Sequence, residues 1–400
     1  MNSYANPFFE SHLYSFQSLR AVAAATSGGA DIGECLSAIN KIEDGDDESW
    51  FKAWNDLAKR LEAEALEMEA KGHCVSATSA FLRASNYYRT SEFFLHTNPG
   101  DPRILETWSR NKACFLKGIK GKPITEVEIP FEGTTLPGYL CLAGDKKGPL
   151  VIVQTGFDGT AEELYFSVAQ SALKHGFHCL IFEGPGQGRV IRQQKIPFRP
   201  NWETVITPVV DYALALDQVD SEKVALMGIS FGGYLVPRAL AFEPRVKVGI
   251  ANGGVLSFHE VVLADSPPGF DSMLDQEEAK ESINQEVLAA MEKDAGLRWA
   301  VGHGMYTFQA KSPVDWFLMT RQYHLRECID QIKCKMLVVD SDNDWQMKGQ
   351  SQKFYDALSC PKDFLLFCAE EGAGAHCQIG AYALSGERIF SWLEDQLCCK

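Results

Sequence analysis

Three side chains of this sequence have the types and the order that acyl transfer at a hydroxyl requires: a serine, then a carboxylate, then an imidazole. The serine is Ser230, inside Val224-Ala225-Leu226-Met227-Gly228-Ile229-Ser230-Phe231-Gly232-Gly233-Tyr234. An apolar run breaks off in Gly-x-Ser-x-Gly and a helix-like stretch follows, the pattern that lifts a nucleophile onto a tight strand-to-helix turn. Gly228 and Gly232 spare that turn two side-chain collisions. The helix beyond it aims its N-terminal dipole and free N–H groups at charge developing on a substrate. The competing reading is a glycine-rich turn with a surface serine, so the chain must also supply a base, an acid and oxyanion donors.

The base is His376, in Glu370-Glu371-Gly372-Ala373-Gly374-Ala375-His376-Cys377 directly after the last expected strand. Small residues let such a loop carry an imidazole over the end of a sheet. The acid must come from Asp340-Ser341-Asp342-Asn343-Asp344, which follows the apolar Met336-Leu337-Val338-Val339. A carboxylate several residues past the strand end suits the base best, which selects Asp344. Asp342 is the runner-up, and Asp340 is read as holding the loop. The expected oxyanion donors are the backbone N–H of Phe231 and that of Phe157, in Thr155-Gly156-Phe157-Asp158-Gly159-Thr160, where Gly156 is expected to permit an unusual bend. Glu183-Gly184-Pro185-Gly186-Gln187-Gly188 also follows a strand. Pro185 removes an N–H and no Lys-Ser/Thr follows, so it reads as a structural turn at the edge of the site and not as a phosphate loop.

The elements that must position these groups follow from periodicity. Continuous apolar runs at 149–154, 177–182, 224–227, 246–251, 336–339 and 364–367 read as buried strands, with helical stretches such as 161–175 between them. That alternation predicts a parallel α/β sheet. Val127 and Ile129 with Leu136, Tyr139 and Leu142 read as an antiparallel pair in front of it. Before residue 123 the period is helical: 47–68, 76–95, and a third helix opened by Asp101-Pro102. Residues up to about 45 are hard to read, apart from a loop signal at Gly28-Gly29. Between 257 and 327 no good strand occurs, only a polar helical stretch and then aromatics including Trp299, Tyr306 and Trp316, which reads as a lid. The expected organisation is therefore a helical N-terminal domain (1–122) and an α/β core with a mostly parallel, doubly wound sheet (123–400), interrupted by the lid (257–327). Tyr87, Tyr88, Glu260 and Tyr306 are the expected substrate-binding side chains, and Arg89 is kept beside them.

Bulk properties narrow the partners. Lys plus Arg is 38 against 53 Asp plus Glu, a net charge of −15 without a basic block, which argues against nucleic acid and anionic membranes. No apolar run approaches the ~20 residues a bilayer span needs, and Met1-Asn2-Ser3-Tyr4-Ala5-Asn6-Pro7 lacks the basic-then-apolar pattern of a leader. The 12 cysteines form no CxxC pairs, so they read as reduced thiols of a cytoplasmic protein, with Cys398-Cys399 at the end. Cys398-Cys399-Lys400 is not a prenylation box. No metal-ligand cluster or nucleotide fingerprint stands out, so no cofactor is expected.

Taken together, these motifs resemble the α/β-hydrolase superfamily. The match is closer to the branch with a helical N-terminal domain that includes dihydroxypseudooxynicotine hydrolase and the heptaketide hydrolase of conidial-pigment synthesis. It rests on Phe81-Leu82-Arg83-Ala84-Ser85-Asn86-Tyr87-Tyr88-Arg89 together with the turn at 183–188, the serine turn, the Asp340–Asp344 cluster and the His376 loop. It covers roughly residues 48 to 396. The resemblance maps the family's triad onto Ser230, Asp344 and His376. It implies a ketone, ester or thioester substrate, often aromatic or polyketide-like, and a homodimer formed through the N-terminal helices. The expected activity is hydrolysis of a C–C bond of β-diketone type, or of an ester or thioester bond, through an acyl-enzyme. The alternatives are a carboxylesterase or acyltransferase of secondary metabolism, and a non-catalytic binding protein on the same fold.

Overall fold

The computed structural model describes residues 7–398; residues 1–6, where no leader pattern was read, and Cys399 and Lys400 of the terminal motif lie outside the described residues. One sheet organises the chain. Its strands are β1 (Ile124–Phe131), β2 (Thr134–Cys141), β3 (Gly148–Gln154), β4 (His178–Phe182), β5 (Val219–Ile229), β6 (Val248–Asn252), β7 (Lys335–Ser341) and β8 (Lys362–Phe367). They lie side by side as β1-β2-β4-β3-β5-β6-β7-β8. β1 and β2 form an antiparallel hairpin and β2 meets β4 antiparallel; every later pairing is parallel. The central strands are buried on both faces, which is why they read as unbroken apolar runs instead of alternating ones.

The helices are α1 (His12–Ala23), α2 (Ile32–Ile39), α3 (Asp47–Ala70), α4 (Cys74–Glu92) and α5 (Pro102–Gly118) before the sheet. Within it come α6 (Ala161–Leu164), α7 (Gln170–Lys174), α8 (Glu203–Leu214) and α9 (Gly232–Leu240). After β6 follow α10 (Phe258–Val262), α11 (Phe270–Met273), α12 (Glu277–Met291), α13 (Ala295–Phe308) and α14 (Pro313–Thr320). α15 (Gln350–Ala357) and α16 (Tyr382–Leu397) complete the chain. The helix starts follow local chemistry. Asp46 accepts from the Glu48 and Ser49 amides to begin α3, and Asp101 accepts from the Arg103 amide with Pro102 in the first turn of α5. α6 and α7 are joined by a π turn, Tyr165–Ala169, and α4 continues into a 3-10 turn, Phe93–Thr97.

Two apolar layers cover the sheet. Val151, Val153, Met227 and Ile250 share one cluster with α1–α5 and α16; Leu150, Ile152, Leu226 and Val338 share the other with α8, α9, α13 and α14. The N-terminal helices pack on one another and share this cluster with the sheet. They complete the core on one face of the sheet. The segment before residue 45, illegible by period, forms α1 and α2. Leu13 through Ser18 are all buried, so α1 has no polar face to mark a helical rhythm. The excursion between β6 and β7 is helical, and a single antiparallel bridge between Ser257 and His324 ties its two ends together.

Candidate active site

β5 ends at Ile229, and Ser230 turns left-handed at φ +59°. A side chain there stores of order 1–3 kcal/mol of strain. The surroundings hold it: the Ser230 amide donates to Asn252 O at 2.8 Å, and the Gly233 amide donates to Ser230 O at 2.7 Å. A Cβ at Gly228 would stand 1.9 Å from Gly232 O, so the turn closes only without one. α9 then starts directly beneath the hydroxyl.

The loop after β8 brings His376 over the same sheet end. Its Nε2 lies 2.8 Å from Ser230 Oγ and its Nδ1 lies 2.6 Å from Asp344 Oδ2. A carboxylate only accepts, so Nδ1 carries the hydrogen and Nε2 is free to accept from the serine hydroxyl. The other Asp344 oxygen accepts from the Gln346 and Met347 amides at 2.9 and 3.0 Å, which locks the carboxylate in plane. Burial alone would lower the imidazole pKa; the Asp344 carboxylate, with Cys377 alongside, outweighs that and holds it well above its usual range. Cys377 and Gln378 are both left-handed, at φ +50° and +54°. Gln378 anchors them, accepting from Asn252 Nδ2 at 2.9 Å and donating to Ser341 Oγ at 3.0 Å. The two competing acids have other tasks. Asp342 accepts from the Ala369 amide at 2.9 Å, and Asp340 accepts from the Ser341 amide at 2.9 Å.

The Phe157 and Phe231 amides have no acceptor among the described residues and flank the serine. Gly156 does not supply the expected unusual bend, because its φ is not positive. It is needed for approach: a Cβ there would lie 2.6 Å from Ile229 O and 2.8 Å from Phe231 N. The turn at 183–188 supports this loop directly. Gln187 Nε2 donates to Thr155 O at 2.9 Å and to Gly156 O at 2.8 Å.

Above Ser230 and His376 opens a cavity of about 680 Å³, within the range of small-molecule sites. Its apolar wall includes Phe16 from α1, Phe258, Trp299 and Trp316 from the excursion, and Trp345 and Tyr382. Its polar wall is a part-buried ion cluster, with Arg89 buried behind it. Arg20 sits 2.5 Å from both Asp158 and Glu163, and Arg89 lies 3.4 and 3.3 Å from the same two acids. Burial pushes the Asp158 carboxyl up, but the two guanidiniums prevail and hold it well below the usual carboxylate range.

Residues 151–369, more than half of the chain, match the alpha/beta hydrolase family. The chain belongs to that family. Among curated proteins this hydrolase is 35% identical to Hydrolase acrC of Aspergillus aculeatus, with 97% of each chain covered. It is 34% identical to the 20-hydroxy-prefusarin hydrolase FUS2 of Gibberella moniliformis, with 98% of each covered. The solved 2,6-dihydroxy-pseudo-oxynicotine hydrolase shares the fold at a TM-score of 0.73 and 19% identity, over 94% of this chain and 95% of that one.

The four expected pocket residues of this hydrolase lie away from the cavity over Ser230. Tyr87 is buried among the N-terminal helices, its hydroxyl accepting from the Asp31 amide and donating to Glu34 at 3.0 Å. Tyr88 donates to Glu62 at 2.6 Å. Glu260 faces outward to Arg326, Lys353 and Gln350. Tyr306 packs against the His96 ring, 5.2 Å between centroids. None of the four lines the cavity. Helical aromatics at these spacings bury against neighbouring helices, and the sequence shows the stripe but not which face meets the void. Reading the sequence missed Arg20, Gln187, His303 and Tyr382. Gln187 had a visible signal in its glycine-rich turn; the other three had none, because only packing brings them to the site. Among the described residues no cluster of three or more metal-ligating side chains occurs, and no helix is long and apolar enough to cross a membrane.

Proposed function

We propose that this chain is a serine hydrolase that cleaves a C–C bond of β-diketone type, or an ester or thioester bond, in a polyketide-like or aromatic secondary metabolite. One observation carries the reading: the Ser230–His376–Asp344 chain of hydrogen bonds, 2.8 and 2.6 Å long, opening into a largely apolar cavity of about 680 Å³. Ser230 Oγ attacks the acyl carbon while its proton passes to His376 Nε2. Asp344 holds the imidazole's tautomer and stabilises its cation. The Phe157 and Phe231 amides receive the oxyanion. Collapse expels an enolate, alkoxide or thiolate, which takes its proton from His376. Water, deprotonated by the same imidazole, then releases the acyl group as an acid. Residues 257–327 act as the lid, and the helical region before about residue 122 walls the cavity. The relatives support the substrate class, since FUS2 is named for a 20-hydroxy-prefusarin substrate.

The test is a fluorophosphonate probe followed by mass analysis of products from acylated polyketides. Labelling should vanish in Ser230→Ala, and the wild type alone should yield an acid plus a ketone, alcohol or thiol fragment. Labelling that persists in Ser230→Ala removes the proposal. Cleavage of esters with no C–C product narrows it to a carboxylesterase.

A further inference from the structure

Behind the oxyanion loop runs a second chain of buried polar groups that the proposed mechanism does not use. His303, on α13, places Nε2 2.9 Å from Phe157 O. Its Nδ1 lies 2.8 Å from Nδ1 of His96, in the 3-10 turn after α4. His96 Nε2 lies 2.7 Å from Oε1 of Glu92, which also accepts from Arg192 Nε at 2.6 Å. Glu92, His96, Arg192 and His303 are all buried. A carbonyl can only accept, so His303 Nε2 carries a hydrogen. A neutral His303 then accepts at Nδ1, and His96 Nδ1 must donate. Burial and the neighbouring His96 push the His303 imidazole down to about 3, in keeping with a neutral ring. His96 Nε2 and Glu92 Oε1, 2.7 Å apart, then share one further proton, although burial lowers His96 and Arg192 outweighs burial to lower Glu92. The donors at His303 Nε2 and His96 Nδ1 follow from the Phe157 carbonyl.

The chain joins three parts of the molecule: the N-terminal helices through Glu92 and His96, the excursion through His303, and the core through Arg192 and Phe157. The contact is close. A Cβ at Gly302 would lie 2.9 Å from Thr97 Cα, so glycine is what lets α13 approach the His96 turn. The target is specific as well. Phe157 sits between two peptide planes. Gln187 fixes the Gly156 carbonyl, and with it the plane that holds the Phe157 N–H. His303 fixes the Phe157 carbonyl, and with it the following plane. Gln187 therefore sets the direction of the Phe157 N–H, and His303 keeps the next plane from turning against it.

We propose that His303, backed by His96 and Glu92, is a positioning residue that completes the oxyanion hole only when α13 and the His96 turn are docked on the core. It rests on the functional reading above, because it needs the Phe157 amide to be an oxyanion donor. Loss of the His303 contact would leave the nucleophile and base intact but the hole loose.

The test compares His303→Phe, which keeps a ring and removes the donor, with His303→Gln, which keeps an N–H. His303→Phe should lower kcat by about 10²-fold, the scale of an ångström-level misplacement in an active site, with little change in KM. It should weaken a trifluoromethyl ketone inhibitor by the same factor, because that adduct carries the oxyanion. Substrate affinity measured in the Ser230→Ala background should stay within about twofold, and His303→Gln should recover most of the loss. An unchanged kcat, or inhibitor affinity that does not follow kcat/KM, overturns the proposal. Should the variants not fold, nitrogen-15 NMR of histidine-labelled wild-type protein decides: His303 protonated at Nδ1 and bare at Nε2 is incompatible with the chain. If Ser230→Ala stays active, the functional reading fails first; if it is dead and the His303 series is flat, only this inference fails.

Discussion

The two sides of the cavity are built by different means. On the sheet side, Ser230, Asp344 and His376 come from three loops at the ends of β5, β7 and β8, held by backbone: left-handed turns at Ser230, Cys377 and Gln378, amides on Asp344, and glycine where a Cβ cannot fit. On the helical side, α1, α4 and α13 contribute side chains, and what holds them is burial and charge: Arg20 and Arg89 on Asp158 and Glu163, His303 on His96. The contrast teaches that backbone geometry places Ser230, Asp344 and His376, while docked helices shape the cavity and contact the loop behind it. The first can be damaged chemically without unfolding the protein; the second cannot be altered without touching stability.

The largest effects should come from the sheet side. Ser230→Ala and His376→Ala should each reduce turnover by about 10⁶-fold, and the double variant should be little worse, because the members act as a unit. Thermal unfolding should barely move. Additive losses in steady-state rates would break the view of one hydrogen-bonded unit.

Next, Asp344→Asn should cost about 10⁴-fold in kcat by favouring the wrong tautomer of His376. Asp342→Asn, which loosens only the Ala369 contact, should be mild. The reverse ranking would reassign the acid. The same pair tests the pH profile. In the proposed mechanism the neutral imidazole is the base, and its pKa is raised, so kcat/KM should rise with pH along a limb above the usual histidine value of about 6.5. In Asp344→Asn the residual activity should show that limb displaced to lower pH.

On the helical side, Arg20→Met should leave two part-buried carboxylates with Arg89 alone and cost about 1–3 kcal/mol, read by denaturant unfolding. Asp158 is depressed in the folded state, so its contribution is present above the ordinary aspartate pKa and lost as pH falls. The acid-side loss of stability should therefore shrink in the variant. A neutral result would mean that the cluster is not what docks α1.

The smallest effect concerns Glu183, which accepts from the Ala161 and Arg189 amides beside the oxyanion loop. Burial and the nearby Glu162 raise its carboxyl to about 7. Its contribution to stability is full below the ordinary glutamate pKa and fades as pH rises through about 7. Glu183→Gln should flatten the fall of Tm between about pH 5 and 8; an unchanged slope would assign that pH dependence to other groups.

How much of this was legible follows from what each element depends on. The central strands read correctly because burial on both faces leaves an uninterrupted apolar run. α3 and α5 read correctly because Asp46 and Asp101-Pro102 mark their starts locally. α1 did not, because nearly all of its surface is buried and its period disappears.

The sequence by itself determined the sheet, the serine turn, and the order of serine, acid and histidine, because each rests on residues adjacent in the chain. The position past the strand end also selected Asp344 over Asp342, and the structure sets Asp344 2.6 Å from His376. Only the tertiary structure decided that Gly156 serves close approach and not a bend, and that Tyr87, Tyr88, Glu260 and Tyr306 do not line the cavity. It alone also brought Arg20 to Asp158 and His303 to His96. Those outcomes depend on which faces of separate elements meet, and packing fixes that across stretches of chain as long as the 207 residues that separate His96 from His303.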